Sequence, residues 1–159
     1  MKFLATFLLV GTVLLATPVI AQEAGSANTN MEILIQKIKA DKKLLVASNM
    51  DLTDAEGKSF WPLYEAYQKE LGQVNQRLAK AIKDYADAYK KGPIPNDTAK
   101  NLLNEALAVE EAELKLKRSY AEKIGKVLPA TKVARYIQIE NKIRAVVRAE
   151  LAQQIPLIY

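Results

Sequence analysis

Glu110 and Glu113, in the stretch VEEAEL, stand three residues apart. On a helix that spacing puts both carboxylates on one face. Such a pair can bind a hard cation weakly through oxygen. It could also be part of the glutamate and Glu-x-x-His set that holds two metal ions inside a helical bundle. The second chemistry is closed, because the chain contains neither His nor Cys. Thiol nucleophiles, Ser–His pairs, haem attachment and imidazole-bound metals are excluded with it. Two readings remain for Glu113: weak cation binding, or an ion pair with a Lys or Arg of a neighbouring helix. The inventory favours the ion pair. No catalytic residue, metal or cofactor is expected, and the chain reads as non-enzymatic.

The other charges fall in blocks. Glu105, Glu110, Glu111 and Glu113 precede Lys115, Lys117, Arg118, Lys123 and Lys126. Acids early and bases late in one helix complement its dipole. The bases continue, however, through Lys132, Arg135, Lys142, Arg144 and Arg148, opposed between residues 115 and 148 only by Glu122 and Glu140. That surplus would attract acidic or partly unfolded chains by long-range steering. Arg135, Lys142, Arg144 and Arg148, together with Trp61, are therefore the candidate client-binding residues. A basic face is also the usual mark of a nucleic-acid binder, but the export signal described next argues against one; an anionic membrane surface stays open.

The elements that must position these groups follow from hydrophobic period. Residues 1–21 carry Lys2, an apolar run from Phe3 to Ala16, and small residues at Val19 and Ala21. This is the pattern of a secretory signal cleaved after Ala21, which places the mature protein in the periplasm. Residues 22–30 read as a flexible mature N-terminus, and 31–159 as a single helical domain held without disulfides. The first helix runs from Met31 to about Met50, with Ile33, Leu34, Ile35, Ile38, Leu44, Leu45 and Val46 as its apolar positions.

The second helix, from Asp54 to about Lys91, carries one apolar stripe through Phe60, Tyr64, Tyr67, Leu71, Val74, Leu78, Ala81, Tyr85 and Ala88. Gly92, Pro93 and Pro95 end it. The third starts at Asp97 or Thr98 and runs to about Leu128, with Leu102, Ala106, Val109, Glu113, Leu116, Tyr120, Ile124 and Val127 in line. Pro129 fits the first turn of a fourth helix, which carries Val133, Tyr136, Ile137, Ile143, Val146, Val147 and Leu151. The predicted fold is all-α: four helices, the two long central ones antiparallel across a short loop. At ~1.5 Å per residue the second helix spans roughly 55 Å, more than the ~37 Å of a compact domain this long. An elongated or bent molecule, paired as a homodimer, is expected.

That second helix opens oddly. Phe60, Trp61, Pro62, Tyr64 and Tyr67 crowd two turns, with a proline well inside the helix. Gly57, Pro62 and Gly72 are weak points at which a helix can bend, and the aromatics would fill the inside of the bend. Trp61 lies about 100° off the stripe; it packs on a flanking helix or lies on the surface.

Leu52–Glu56, LTDAE, has the Thr-x-x-Glu spacing of a capping box. It also resembles the Leu-Thr-x-x-Gln motif of the periplasmic LTXXQ family of the Spy and CpxP type, with Glu in place of Gln. Leu128–Lys132, LPATK, sits where that family has its second copy and keeps only the Leu. A Thr cap alone can produce such a motif. The likeness extends over residues 31–152 through helix order and length. It implies a bent, antiparallel helical dimer acting as a stress-linked, ATP-independent chaperone that holds unfolded or envelope proteins on a concave face. The family's metal-binding branch uses His or Cys and is not supported here. The competing reading is a structural or adaptor module that docks on one envelope partner, through the terminal IPLIY.

Overall fold

The computed structural model describes residues 41–158. The leader, its cleavage point after Ala21, the stretch 22–30 and the first helix up to residue 40 lie outside the described residues. The chain divides into two units, 1–43 and 44–159. Of the first, residues 41–43 are described and are helical.

Among the described residues there are four helices and no strand, as expected. They are α1 over 41–50, α2 Asp54–Tyr89, α3 Asn96–Gly125 and α4 Ala130–Gln154. No described helix is long and apolar enough to cross a membrane. The boundaries differ slightly from the sequence reading. α2 stops at Tyr89, α3 starts at Asn96 and ends at Gly125, and Pro129 is the N-cap of α4 rather than a first-turn residue.

Each junction has a local cause. In the last turn of α1, Ser48 Oγ and Asn49 Nδ2 fold back onto the carbonyls of Leu44 and Leu45, four residues earlier, local bonds by which Ser and Asn compete with the helix ladder. Asp51 then takes φ 48°, the left-handed turn that Asp tolerates better than most residues. α2 starts on a complete capping box. Thr53 Oγ1 accepts from the Glu56 N–H at 3.3 Å, and Glu56 Oε2 accepts from the Thr53 N–H at 2.8 Å. Gly92, at φ 108°, turns the chain between α2 and α3; a side chain there would be strained.

α3 runs antiparallel to both neighbours, so α2 and α4 are parallel. Tyr120 of α3 meets Tyr67 and Glu70 of α2, and Glu105 meets Arg77 further along. Against α4, the pairs Lys117–Asn141, Glu113–Arg144 and Glu110–Arg148 step in opposite directions. The core lies toward the start of α2. Phe60, Tyr64, Tyr67 and Leu71 pack with Tyr120 and Ile124 of α3, Leu128, Tyr136 of α4, and Val46 and Met50 of α1.

The crowding of aromatics in α2 has its reason here. No Cα of α4 comes within 8 Å of one in α2, so only large side chains can close that space. Tyr136 reaches across to Phe60, Tyr64 and Tyr67, with ring centroids 5.2, 6.2 and 6.0 Å away. All three contacts are edge-on, the arrangement aromatic quadrupoles prefer. α2 itself continues as one helix through Pro62, which is exposed. The hydrogen bond proline removes is lost on the side where water can replace it.

The stripe of α2 is confirmed, but unevenly. Phe60 to Leu71 are buried, whereas Val74, Leu78 and Tyr85 are half-buried. Three other expectations are corrected. Val127 is exposed and Leu128 takes its place in the core, because α3 ends before either residue and the chain turns. In α1 Leu44 and Leu45 are exposed, while Val46 and Met50, one turn apart, are fully buried. Val146 and Val147 of α4 are also exposed.

Candidate functional site

The carboxylate pair that opened the sequence reading proves to be the centre of an ion network. Glu113 is only 4% exposed. Its Oε2 accepts a short, charge-assisted hydrogen bond from Arg144 Nη2. Arg148 Nη2 lies 3.5 Å from the same oxygen, and Lys117 Nζ 3.7 Å from the other. Glu110, on the solvent side, is 3.6 Å from Arg148. Asn75 Oδ1 accepts from Arg144 Nη1 at 2.9 Å, and Asn141 Oδ1 from Lys117 at 2.9 Å. Of the two readings for Glu113, the ion pair is the one observed. A buried carboxylate must be paired, and α4 supplies the partners.

A second buried acid, Glu140, takes a hydrogen bond from Gln68 Nε2 at 2.9 Å. The same amide donates to the Tyr136 hydroxyl at 3.3 Å. Burial, reinforced by the Glu140 charge, pushes the Tyr64, Tyr67 and Tyr136 hydroxyls well above the ordinary tyrosine value. Tyr120 is pushed up to about 12, first by burial and then by its hydrogen bond to Glu70. These hydroxyls therefore stay protonated at neutral pH. They act as fixed dipoles within an apolar core, not as acid–base groups.

The sequence-predicted residues fall into separate places. Leu52, Thr53 and Glu56 form the α2 cap, and the structure adds Lys132. Its Nζ donates to Glu56 Oε2 at 2.6 Å and to the Asp51 carbonyl at 2.8 Å. The LTDAE and LPATK stretches thus meet at one end of the helices, with Leu52 and Leu128 both against the core. Lys132 holds the Glu56 carboxyl below its ordinary 4.5, assisted by the Thr53 N–H. Trp61 is half-buried and packs edge-on to Phe60 and Tyr64, at 5.1 and 5.4 Å. A Cβ added at Gly57 would sit 3.5 Å from its indole nitrogen, so the indole lies over the glycine.

The four cations of α4 do not share one face. Arg135 and Lys142 are exposed and line an open groove with Ser48, Asn49 and Asp51; among the described residues neither is ion-paired. Arg144 and Arg148 point the other way, into the Glu113 network. Nine positions separate Arg135 from Arg144, about 180° around a helix, so this division was readable in the sequence.

Beside that network lies a cavity of about 630 Å³. Its walls are Leu78, Ile82 and Tyr85 of α2, Leu102 and Ala106 of α3, and Ile155 beyond α4. The terminal segment folds against it, held where the Tyr85 hydroxyl donates to the Pro156 carbonyl at 2.8 Å.

One feature went unread in the sequence. Leu103, Leu107 and Leu114 of α3 are 58%, 54% and 51% exposed. Their spacing of four and seven marks a second apolar stripe, set apart from the one that faces the core. Among the described residues no group of three or more acidic side chains is placed to hold a metal ion. Comparison with protein-family models, curated proteins and solved structures finds no match for this chain.

Proposed function

We propose that this chain is an exported, non-enzymatic helical binding protein that holds partly unfolded envelope proteins without ATP, in the manner of the LTXXQ family. The observation that carries the reading is the exposed stripe Leu103, Leu107 and Leu114. Glu110, Glu111, Lys115 and Arg118, all exposed, interleave with it. Apolar side chains set among solvated charges suit transient capture of varied chains, since long charged stems cover apolar surface while keeping their heads in water. The Thr53–Glu56 cap and the leader over 1–21, cleaved after Ala21 for a periplasmic destination, belong to the same reading. So does an elongated, bent homodimer with a concave client face.

Light scattering of an unrelated protein during thermal unfolding tests it. The mature chain at several-fold molar excess should suppress aggregation, and replacing Leu103, Leu107 and Leu114 with Ser should abolish suppression. If Arg135, Lys142 and Trp61 help capture clients, Arg135→Glu with Lys142→Glu should slow it, and salt should weaken it by screening beyond ~8 Å. Arg144 and Arg148 are unsuitable for charge reversal, because Glu113 depends on them. Absence of suppression would discard the reading. The alternative, an adaptor docking one envelope partner through its terminus, draws on Leu157, which is 88% exposed. It predicts capture of a single partner, lost when residues 155–159 are removed.

A further inference from the structure

The cavity between α2, α3 and the terminal segment has a chemical polarity of its own. Its walls are aliphatic along most of its length, and Glu110, Glu113, Arg144 and Arg148 close one end. At about 630 Å³ it falls within the ~300–1,000 Å³ of ordinary ligand pockets. Along α3 it extends from Ala99 to Glu113, about 21 Å at the helical rise. One leaflet of bilayer hydrocarbon is about 15 Å deep, so an extended acyl chain fits that run.

The charged end favours an anion. In the cavity wall Arg144 and Arg148 balance Glu110 and Glu113; Lys117, behind that wall and 3.7 Å from Glu113, gives the network as a whole one positive charge in surplus. Arg144 is committed to Glu113 and Asn75, and its Nε is enclosed, so it lends its charge and not a free donor. Arg148 is half-exposed, and its approaches of 3.5 and 3.6 Å exceed ordinary N–H···O distances. It can turn toward a ligand without breaking a tight bond.

We propose that this cavity binds a long-chain monocarboxylate, a fatty acid, with its chain along α3 and its carboxylate at Arg144 and Arg148. A sugar or dicarboxylate would leave its polar groups unpaired on the aliphatic walls, and a cationic amphiphile would meet the surplus positive charge. The segment around Pro156, pinned by Tyr85, would be the flap over the chain. Leu103 belongs both to this cavity and to the α3 stripe invoked for client capture, whereas Leu107 and Leu114 stand outside the cavity, so binding of a fatty acid should survive Leu107→Ser with Leu114→Ser.

The test uses the full mature chain and the fluorescent fatty acid cis-parinaric acid. Saturable binding at one site per chain is expected, displaced by oleate and much less by oleyl alcohol. Arg148→Gln should weaken binding about tenfold, the size of one charge-assisted hydrogen bond. Ala106→Trp, which fills the cavity from α3, should abolish it. Circular dichroism melts check that both variants fold. No saturable binding overturns the proposal. So does binding unchanged in folded Ala106→Trp, which would put the probe elsewhere, or displacement by the alcohol as effective as by the acid. Sedimentation that shows a second copy covering the cavity, with no probe bound, overturns it in favour of a self-association surface.

Discussion

Tyr136 of α4 stands edge-on to Phe60 of α2, ring centroids 5.2 Å apart, across two helices whose Cα atoms nowhere come within 8 Å. Side chains alone join these helices, and Tyr136 touches three aromatic rings at once. Tyr136→Ala should therefore cost about 3–5 kcal/mol, the range for emptying a large aromatic site. Tyr136→Phe keeps the rings in contact and should cost only about 1 kcal/mol for the hydroxyl's hydrogen bonding. Urea denaturation of the two variants checks the ratio. Equal losses would mean that the hydroxyl, not the ring, holds α4.

The Glu113–Arg144 pair makes a second, independent demand. Either single replacement, Glu113→Leu or Arg144→Leu, leaves a buried charge without its main partner and should cost about 3–5 kcal/mol. The double variant Glu113→Leu with Arg144→Leu should recover most of that, because apolar pairs of similar volume replace buried ion pairs at little cost. A double-mutant cycle in denaturant reads the coupling, and additive losses would refute it.

The cap of α2 predicts a pH dependence. The Glu56 carboxyl is held below its ordinary 4.5, chiefly by Lys132 and next by the Thr53 N–H. A depressed carboxylate contributes stability that is fully present above its unfolded value and is lost as pH falls through its folded one. Lys132→Met should thus destabilise at pH 7, and its difference from wild type should shrink as pH drops below about 4.5. Thermal melts across pH 7 to 3 measure this, and a difference constant with pH would show that Lys132 acts only through the Asp51 carbonyl. Thr53→Ala should cost about 1 kcal/mol at neutral pH.

Gly72 offers the opposite sign. It lies inside α2, and a Cβ built on it meets no atom within 4 Å. Gly72→Ala should raise stability by about 0.5–1 kcal/mol through the unfolded chain's lost freedom. A lower denaturation midpoint would show that α2 uses the glycine for a bend.

Much of this molecule was legible in its residues because helices are local. The α2 stripe, the Thr53–Glu56 box and the break at Gly92 and Pro95 depend on local spacing and were found where the period put them, whereas α3 stops at Gly125, short of Pro129. The absence of His and Cys likewise closes thiol and imidazole chemistry from composition alone. The division of Arg135 and Lys142 from Arg144 and Arg148 also follows from counting around a helix, although by charge alone the four read as one surface.

Tertiary structure decided what depends on residues far apart in the chain. Glu113 could have bound a cation or an arginine; the antiparallel register of α3 and α4 brought Arg144 to it. The near-equal apolarity of Val127 and Leu128 gave no hint that only the second enters the core, since the turn after Gly125 chooses between them. Lys132 reaches Glu56 across 76 positions, a contact that no local spacing encodes. The aromatics of α2 announced a need for bulk, but their purpose is set by a distance between two backbones. Local sequence specifies which helices form and which faces they offer. The separations and registers between helices arise from packing all of those faces together, and there the ion network, the cavity and the uncovered stripe of α3 were determined.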